Sequence, residues 1–195
     1  MMRPLPRSAT ILLCGLVLAG CASEKLYTAP VFPGTGTSAA PARIPSRFTS
    51  VEVQDVSLPD YAASGQIPER QADGSISSSR SVLWADEPTR AVTMELSRLL
   101  RQITGAEIAA EPWPFYDNAQ AQLLVRVESM LAEGDGSFRL TGQFFVAPRD
   151  GRSGRSSDFM ISVPVAAPGG PGAIADARSA AVLALAQRIA RDGLR

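Results

Sequence analysis

The sequence predicts an α+β fold: a mainly antiparallel sheet packed against two helices, preceded by a signal peptide and a flexible linker. Three observations predict it. Short strand-like segments, an amphipathic helix, longer strands and a final helix follow in that order, segregated rather than alternating one for one. The later strand candidates are joined by polar turns, which marks an antiparallel meander. Both helical stretches carry an apolar stripe, at i, i+4 and i+7 in the first and at i, i+3 and i+7 in the second. At 195 residues and 45% hydrophobic content, the chain can build one domain with a real core.

The first twenty residues read as an address. Arg3 and Arg7 give a positive start, "ILLCGLVLA" (11–19) an apolar run, and Ala19 and Gly20 a small-residue exit. The run is too short to span a bilayer as a stable helix. Residues 1–20 are therefore expected to be a removed signal peptide, and Cys14 leaves with them. The exit "LAGC", Leu18 to Cys21, resembles the bacterial lipobox. That resemblance implies a diacylglyceryl group on the Cys21 thiol and cleavage before Cys21. Ala22 at the following position, in place of aspartate, points to the outer membrane with the domain in the periplasm. An ordinary signal with a coincidental cysteine, or an uncleaved anchor, is the alternative.

Residues 21–46 carry the lipidated cysteine and a linker rich in Pro, Gly, Ser, Thr and Ala. Some 25 such residues have an r.m.s. span of roughly 25–30 Å and a limit near ~85 Å, enough to hold the domain clear of a bilayer. Leu26 and Tyr27 either dock on the domain, pack against a partner or are incidental; aromatic residues in such linkers are more often incidental.

The α+β domain is expected over 47–195. Phe48, Val51, Val53 and Val56 set a first strand that Pro59 ends. "QIPER" and "SISSSRSVLW" are short extended segments around an Asp73-Gly74 turn. The first long helix has Asp86 as its cap, Glu87 and Pro88 in its first turn and Gly105 at its end. Val92, Leu96, Leu99, Leu100 and Ile103 form its apolar stripe, with Arg90, Glu95, Arg98, Arg101 and Gln102 on the other sides. "AEIAAEPW" is a short strand closed by Pro112 and Pro114. Next comes "AQLLVRVESMLAEG", whose alternation shifts before Met130. "SFRLTGQFFVAP" places Phe138, Leu140, Gly142 and Phe144 on one face. "RDGRSGRSSD" reads as a polar loop and "FMISVPV" as the last strand. The C-terminal helix turns Val182, Leu185 and Ile189 inward.

Composition removes many chemistries. Histidine is absent, so no Ser-His or Cys-His catalyst and no imidazole metal site exists. The two cysteines precede the domain, which excludes a disulfide framework or thiolate zinc site within it. Basic and acidic residues number 19 each, so no nucleic-acid face is indicated. No cofactor is expected. Loss of residues 1–20 leaves the acids two in excess, and such a domain gains no electrostatic help at an anionic surface. "SISSSRS" lacks a nucleophile elbow, and Lys25, the only lysine, lies in the linker. "GTG" (34–36) and "GGPG" (169–172) lack a phosphate fingerprint. Asp55, Asp60, Glu69 and Asp73 are carboxylates that could converge, and a glycosidase would need only two of them.

"VLWADEPTRAVTMELSRLL", Val82 to Leu100, is more specific. Trp84 reads as a packing plug at a strand-to-helix corner and Arg90 as a solvated or acid-bridged residue, with a ligand role for either as the alternative. The order of Tyr27, "LPDY" (Leu58–Tyr61), Arg70 and "WADEP" (Trp84–Pro88), behind a lipobox, resembles the ABC-type transport auxiliary lipoproteins, the PqiC-like group. The resemblance runs from about Tyr27 to the C-terminus. Asp-Glu-Pro stands where many members have Glu-Pro, which leaves the subfamily open. It implies a non-enzymatic subunit of an envelope system that moves lipids or other hydrophobic molecules between membranes. Implied partners are an ABC transporter, a periplasmic MCE-domain protein and, through ring formation, other copies of the chain. With the reading of the helix corner, Tyr61, Arg70, Trp84 and Arg90 are structural or partner-interface candidates, and the lipobox makes Cys21 the acylated residue. A stand-alone lipid-binding shuttle and a carboxylate hydrolase are the alternatives.

Overall fold

The computed structural model describes residues 23–30 and 42–195. Cys14, Cys21, the signal peptide and much of the expected linker lie outside the described residues. In chain order the elements are β1 (Lys25–Tyr27), β2 (Ser50–Val53), α1 (Asp60–Ala63), β3 (Glu69–Arg70), β4 (Ile76–Ser77), β5 (Val82–Trp84), α2 (Pro88–Thr104), β6 (Glu107–Ala110), β7 (Ala121–Ala132), β8 (Ser137–Pro148), β9 (Arg155–Pro164) and α3 (Pro171–Asp192). The fold is α+β, as the sequence predicts.

The expected meander is present. β7 pairs antiparallel with β8 from Ala121↔Pro148 to Ala132↔Phe138, and β8 with β9 from Val146↔Arg155 to Ser137↔Pro164. The polar loop before the last strand is shorter than expected, because Arg155 to Asp158 already pair with β8. The sheet is mixed. β2 lies parallel to both β6 and β7, with Val51 opposite Ile108 and Ala121. A crossover containing α2 separates β2 from β6, and such a connection returns the chain in the same direction. β3 joins the same edge of β7 at its other end, Glu69↔Ala132, and continues into β4. β7 therefore has two distinct ends. The Ala121 end carries β2 and β6; the Ala132 end carries β3 and β4.

The apolar alternation of β7 slips because the register with β8 shifts between Val127 and Ser129. Gly142 faces that irregularity. A Cβ there would stand 2.1 Å from the Arg126 carbonyl oxygen, so no other residue fits without moving the strand. Phe138, Leu140, Phe144 and Val146 of β8 face inward with Leu123, Val125 and Met130 of β7. Against them pack α2 (Val92, Leu96, Leu99, Leu100, Ile103) and α3 (Ile174, Val182, Leu185, Ile189). Five buried alanines on α3 bring that helix close. Each large side chain so buried contributes about 1.5–3 kcal/mol.

Several local expectations change. Glu87, not Asp86, is the N-cap of α2: its carboxylate accepts from Thr89 N at 2.9 Å and Arg90 N at 2.6 Å. Pro88 at N1 sets the cap one residue before it. Gly105, at φ 73°, closes the helix as expected. Glu95 is buried rather than on the solvent side. A third, one-turn helix, α1, follows Pro59. Leu26 and Tyr27 are not incidental: β1 pairs parallel with β5, Tyr27 opposite Trp84, and Tyr27 packs on the core.

Candidate functional site

Two clusters, each built from a tryptophan, a glutamate and an arginine, occupy the two ends of β7. At the Ala132 end, β5 is tied in by Trp84 N donating to Gly65 O at 2.7 Å, and α2 begins at once. Trp84 is buried, and the guanidinium of Arg178, from the second turn of α3, lies 4.7 Å over its ring. Arg178 is itself 3% exposed. Glu95 of α2 faces it at 3.5 Å and accepts from Ser179 Oγ at 2.6 Å. Burial pushes the Arg178 guanidinium below its ordinary value, and Glu95 opposes that shift. Ser179 Oγ also reaches Pro30 O at 3.1 Å, so residues 25–30 are held by β5 at one end and α3 at the other. Beside this cluster runs a groove of about 510 Å³, lined by Tyr27, Pro30, Trp84, Ala91 and Met94.

At the Ala121 end, Glu52 of β2 is also buried. Its carboxylate accepts from Trp113 N at 3.1 Å and Gln122 Nε2 at 2.9 Å, and pairs with Arg149. Trp113 Nε1 donates to Asp117 O at 2.6 Å, and its ring meets Phe115 edge-on at 5.0 Å. These bonds hold the β6–β7 connection as a tip whose aromatic side chains face water. Phe115 is 47% exposed and Tyr116 fully so. Arg47, Arg149 and Arg152 line a concavity of about 790 Å³ at this end, with Asp150 among them. Slight desolvation of this exposed side chain, then the charges of Arg155 and Arg152, hold Arg47 below its ordinary value, and Asp150 opposes them.

The residues singled out in the sequence have local positions. Tyr61 of α1 is half-buried, and its hydroxyl accepts from Met130 N at 3.2 Å beside the β7 register shift. Arg70 of β3 donates to Glu133 at 2.9 Å, and Arg139 reaches the same carboxylate at 3.0 Å. Trp84 is the plug at the strand-to-helix corner. Arg90 pairs with Asp86 on an exposed helix turn, an arrangement worth little. Cys21 lies outside the described residues. Asp55, Asp60, Glu69 and Asp73 are exposed on separate segments. The Asp73 carboxylate is taken up by Ser75. Among the described residues, no group of His, Cys, Asp and Glu could hold a metal ion, and no helix is long and apolar enough to cross a membrane.

Sequence reasoning missed Glu52, Glu95, Arg149, Arg178 and the aromatic tip. One signal was present. Arg178 falls four residues after Ile174 and four before Val182, on the inner stripe of α3, where a charge needs a buried partner.

The family model for the ABC-type transport auxiliary lipoprotein component matches residues 32–190. The chain belongs to this family. A member of the ABC-type transport auxiliary lipoproteins is a membrane-anchored component of a transport system that faces the periplasm. Solved structures agree on the fold. An uncharacterized protein aligns with a TM-score of 0.69 at 15% identity, covering 87% of this chain and 97% of its own. Protein XCC0632 from Xanthomonas campestris, of family DUF330, aligns at 0.62 with 16% identity, covering 85% and 92%. A comparison with curated proteins returns no match. For this auxiliary lipoprotein, the buried Trp84 cluster is the hub that joins β5, α2 and α3, while the Trp113 cluster displays aromatic surface.

Proposed function

We propose that this auxiliary lipoprotein is acylated on Cys21, sits at the outer membrane and serves as a docking subunit of an ABC/MCE-type envelope transport system. The cargo class is lipids or other hydrophobic molecules moving between membranes. The match of the auxiliary-lipoprotein family over residues 32–190 carries this reading. The lipobox-like "LAGC" supports the anchor, and the Ala22 position supports the outer membrane. Its function is binding rather than catalysis. The reading includes an MCE-domain protein and the ABC transporter as partners, and assembly with further copies of the chain. The exposed Phe115–Tyr116 tip is the surface on which docking is tested, because aromatic side chains are common interface anchors.

Crosslinking in native membranes followed by purification of the lipoprotein should recover an MCE-domain protein together with transporter subunits. Recovery of neither sinks the docking reading. A lipid-carrying shuttle is the second reading, and the apolar side of the groove beside Trp84 and Met94 favours it. Native mass spectrometry separates the two: a docking subunit carries no stoichiometric free lipid beyond its own acyl chains, whereas a shuttle does.

A further inference from the structure

The site of attachment and the first element of the fold are only four residues apart. Cys21 precedes Lys25, and Lys25 already belongs to β1. Its N–H donates to Ser81 O at 2.8 Å. Tyr27 O accepts from Ala85 N at 2.8 Å, and Pro30 O sits 3.1 Å from Ser179 Oγ, whose one proton it shares with Glu95. Residues 25–30 therefore lie strapped across β5 and the start of α3. Residues 31–41 come after this docked strand in the chain and lengthen nothing between the anchor and the domain.

We infer that the Ala132 end of the molecule, the end built from β1, β4 and β5, faces the bilayer that holds the anchor, on a tether of three residues. This inference rests on acylation of Cys21 in the reading above. Four peptide steps extend at most about 13–14 Å, against the ~85 Å limit of a linker running from residue 22 to 46. The domain cannot stand clear of the membrane on such a tether. The surface at that end suits a headgroup layer. Leu26 is 61% exposed and Ile76 40%, on segments that also expose the cations Lys25 and Arg80 and the acids Glu24, Glu69, Asp73, Asp86 and Glu87. Exposed apolar side chains settle at an interface, and with acids in excess around them they do so without help from anionic lipid.

The opposite end then points away. β7 rises over eleven steps from Ala121 to Ala132, about 36 Å at ~3.3 Å per residue. α2 and α3 run alongside: α2 starts next to Trp84 and ends where Ile44 N meets Ile103 O, and α3 ends where Arg47 N meets Leu194 O. The Phe115–Tyr116 tip thus stands on the side remote from the anchor. A bilayer partner for those aromatics is disfavoured, and a periplasmic protein fits.

The test uses the acylated full-length protein in vesicles of phosphatidylethanolamine and phosphatidylglycerol with an acceptor dye on the lipid. Donor dyes are placed on S79C, near β5, and S153C, in the β8–β9 turn. Energy transfer should be several-fold greater from position 79 than from position 153. A twelve-residue Gly/Ser insertion between Ser23 and Glu24 should abolish the difference. The same insertion between Thr37 and Ser38 should leave it intact, because that point lies beyond β1. Equal transfer from both donors, or equal effects of the two insertions, overturns the inference. Intact mass of the same samples reports the acyl chains. Their absence removes the anchor itself, an outcome distinct from acylated protein with equal transfer.

Discussion

The two ends of β7 use the same three residue types to opposite effect. At one end Trp84, Arg178 and Glu95 are sealed between β5, α2 and α3, with Arg178 3% exposed. At the other, Glu52 is buried, yet Arg149 is half-open and Trp113 leads into a tip where Phe115 and Tyr116 face water. The difference lies in what covers each cluster. Two helices close over Trp84, whereas only a ten-residue connection crosses the Glu52 side of the sheet. A covered ion pair fixes the fold, because removing one partner leaves a charge stranded away from water. An uncovered one can hold a loop rigid while its aromatic side chains stay available.

The largest test of this contrast is at the sealed end. R178A should strand Glu95 and cost about 3–5 kcal/mol, and W84A should cost a similar ~3–5 kcal/mol through lost burial. Urea unfolding followed by circular dichroism reads both. The double variant E95L/R178M should recover most of the loss, since a buried pair can often be replaced by apolar residues of similar volume. A loss below about 1 kcal/mol for R178A would remove the distinction between the two ends.

Next comes the open end. E52A leaves Trp113 N and Gln122 without their acceptor, and should cost about 1–3 kcal/mol. Amide exchange should speed up at Trp113 and stay unchanged at Trp84. Exchange that rises equally at both would mean the ends are one cooperative unit. Smaller still is the effect of changing the tip: F115S/Y116S should alter stability by no more than about 0.5 kcal/mol. Recovery of the transport partners should nonetheless fall, and unchanged recovery would take the tip out of docking.

The smallest expected effect is pH dependence, and here the two ends should agree. Asp73, in the turn between β3 and β4, is held below the ordinary carboxylate range by the Ser75 hydroxyl and then the Ser75 amide. Asp150, in the turn after β8, is held low by the Arg152 amide, against some desolvation. A depressed carboxylate stabilises its turn fully above its ordinary value. That contribution is lost as pH falls through the lowered one. Titration of the two side-chain carboxyl carbons by NMR should place both below exposed reference aspartates. An ordinary midpoint at either position would break the symmetry.

Much of the fold was legible because its signals are short-range. Helix α2 was marked by Pro88, by Gly105 and by a stripe of five apolar residues that need only the 3.6-residue period. The meander was marked by alternation and by turns such as Gly134 to Gly136. Its register shift was visible as the slip before Met130. Parallel pairing of β2 was not legible, since a strand of four residues reads the same in either direction. Neither was docking of β1, because three residues in a Pro- and Gly-rich segment carry no period.

The sequence by itself determined the anchor motif, the two long helices and their apolar stripes, the meander, and the absence of histidine-based, disulfide or thiolate-metal chemistry in the domain. It also carried, in ordered short motifs, the family to which the chain belongs. Only the tertiary structure decided which charges are buried together and which aromatics stay outside. Glu52 and Arg149 are 97 residues apart in the chain, and Glu95 and Ser179 are 84 apart. Local periodicity reports on the turn or strand in which a residue sits. Which side chain meets it from across the fold depends on how strands and helices close over one another, and that is set by the packing of the whole core.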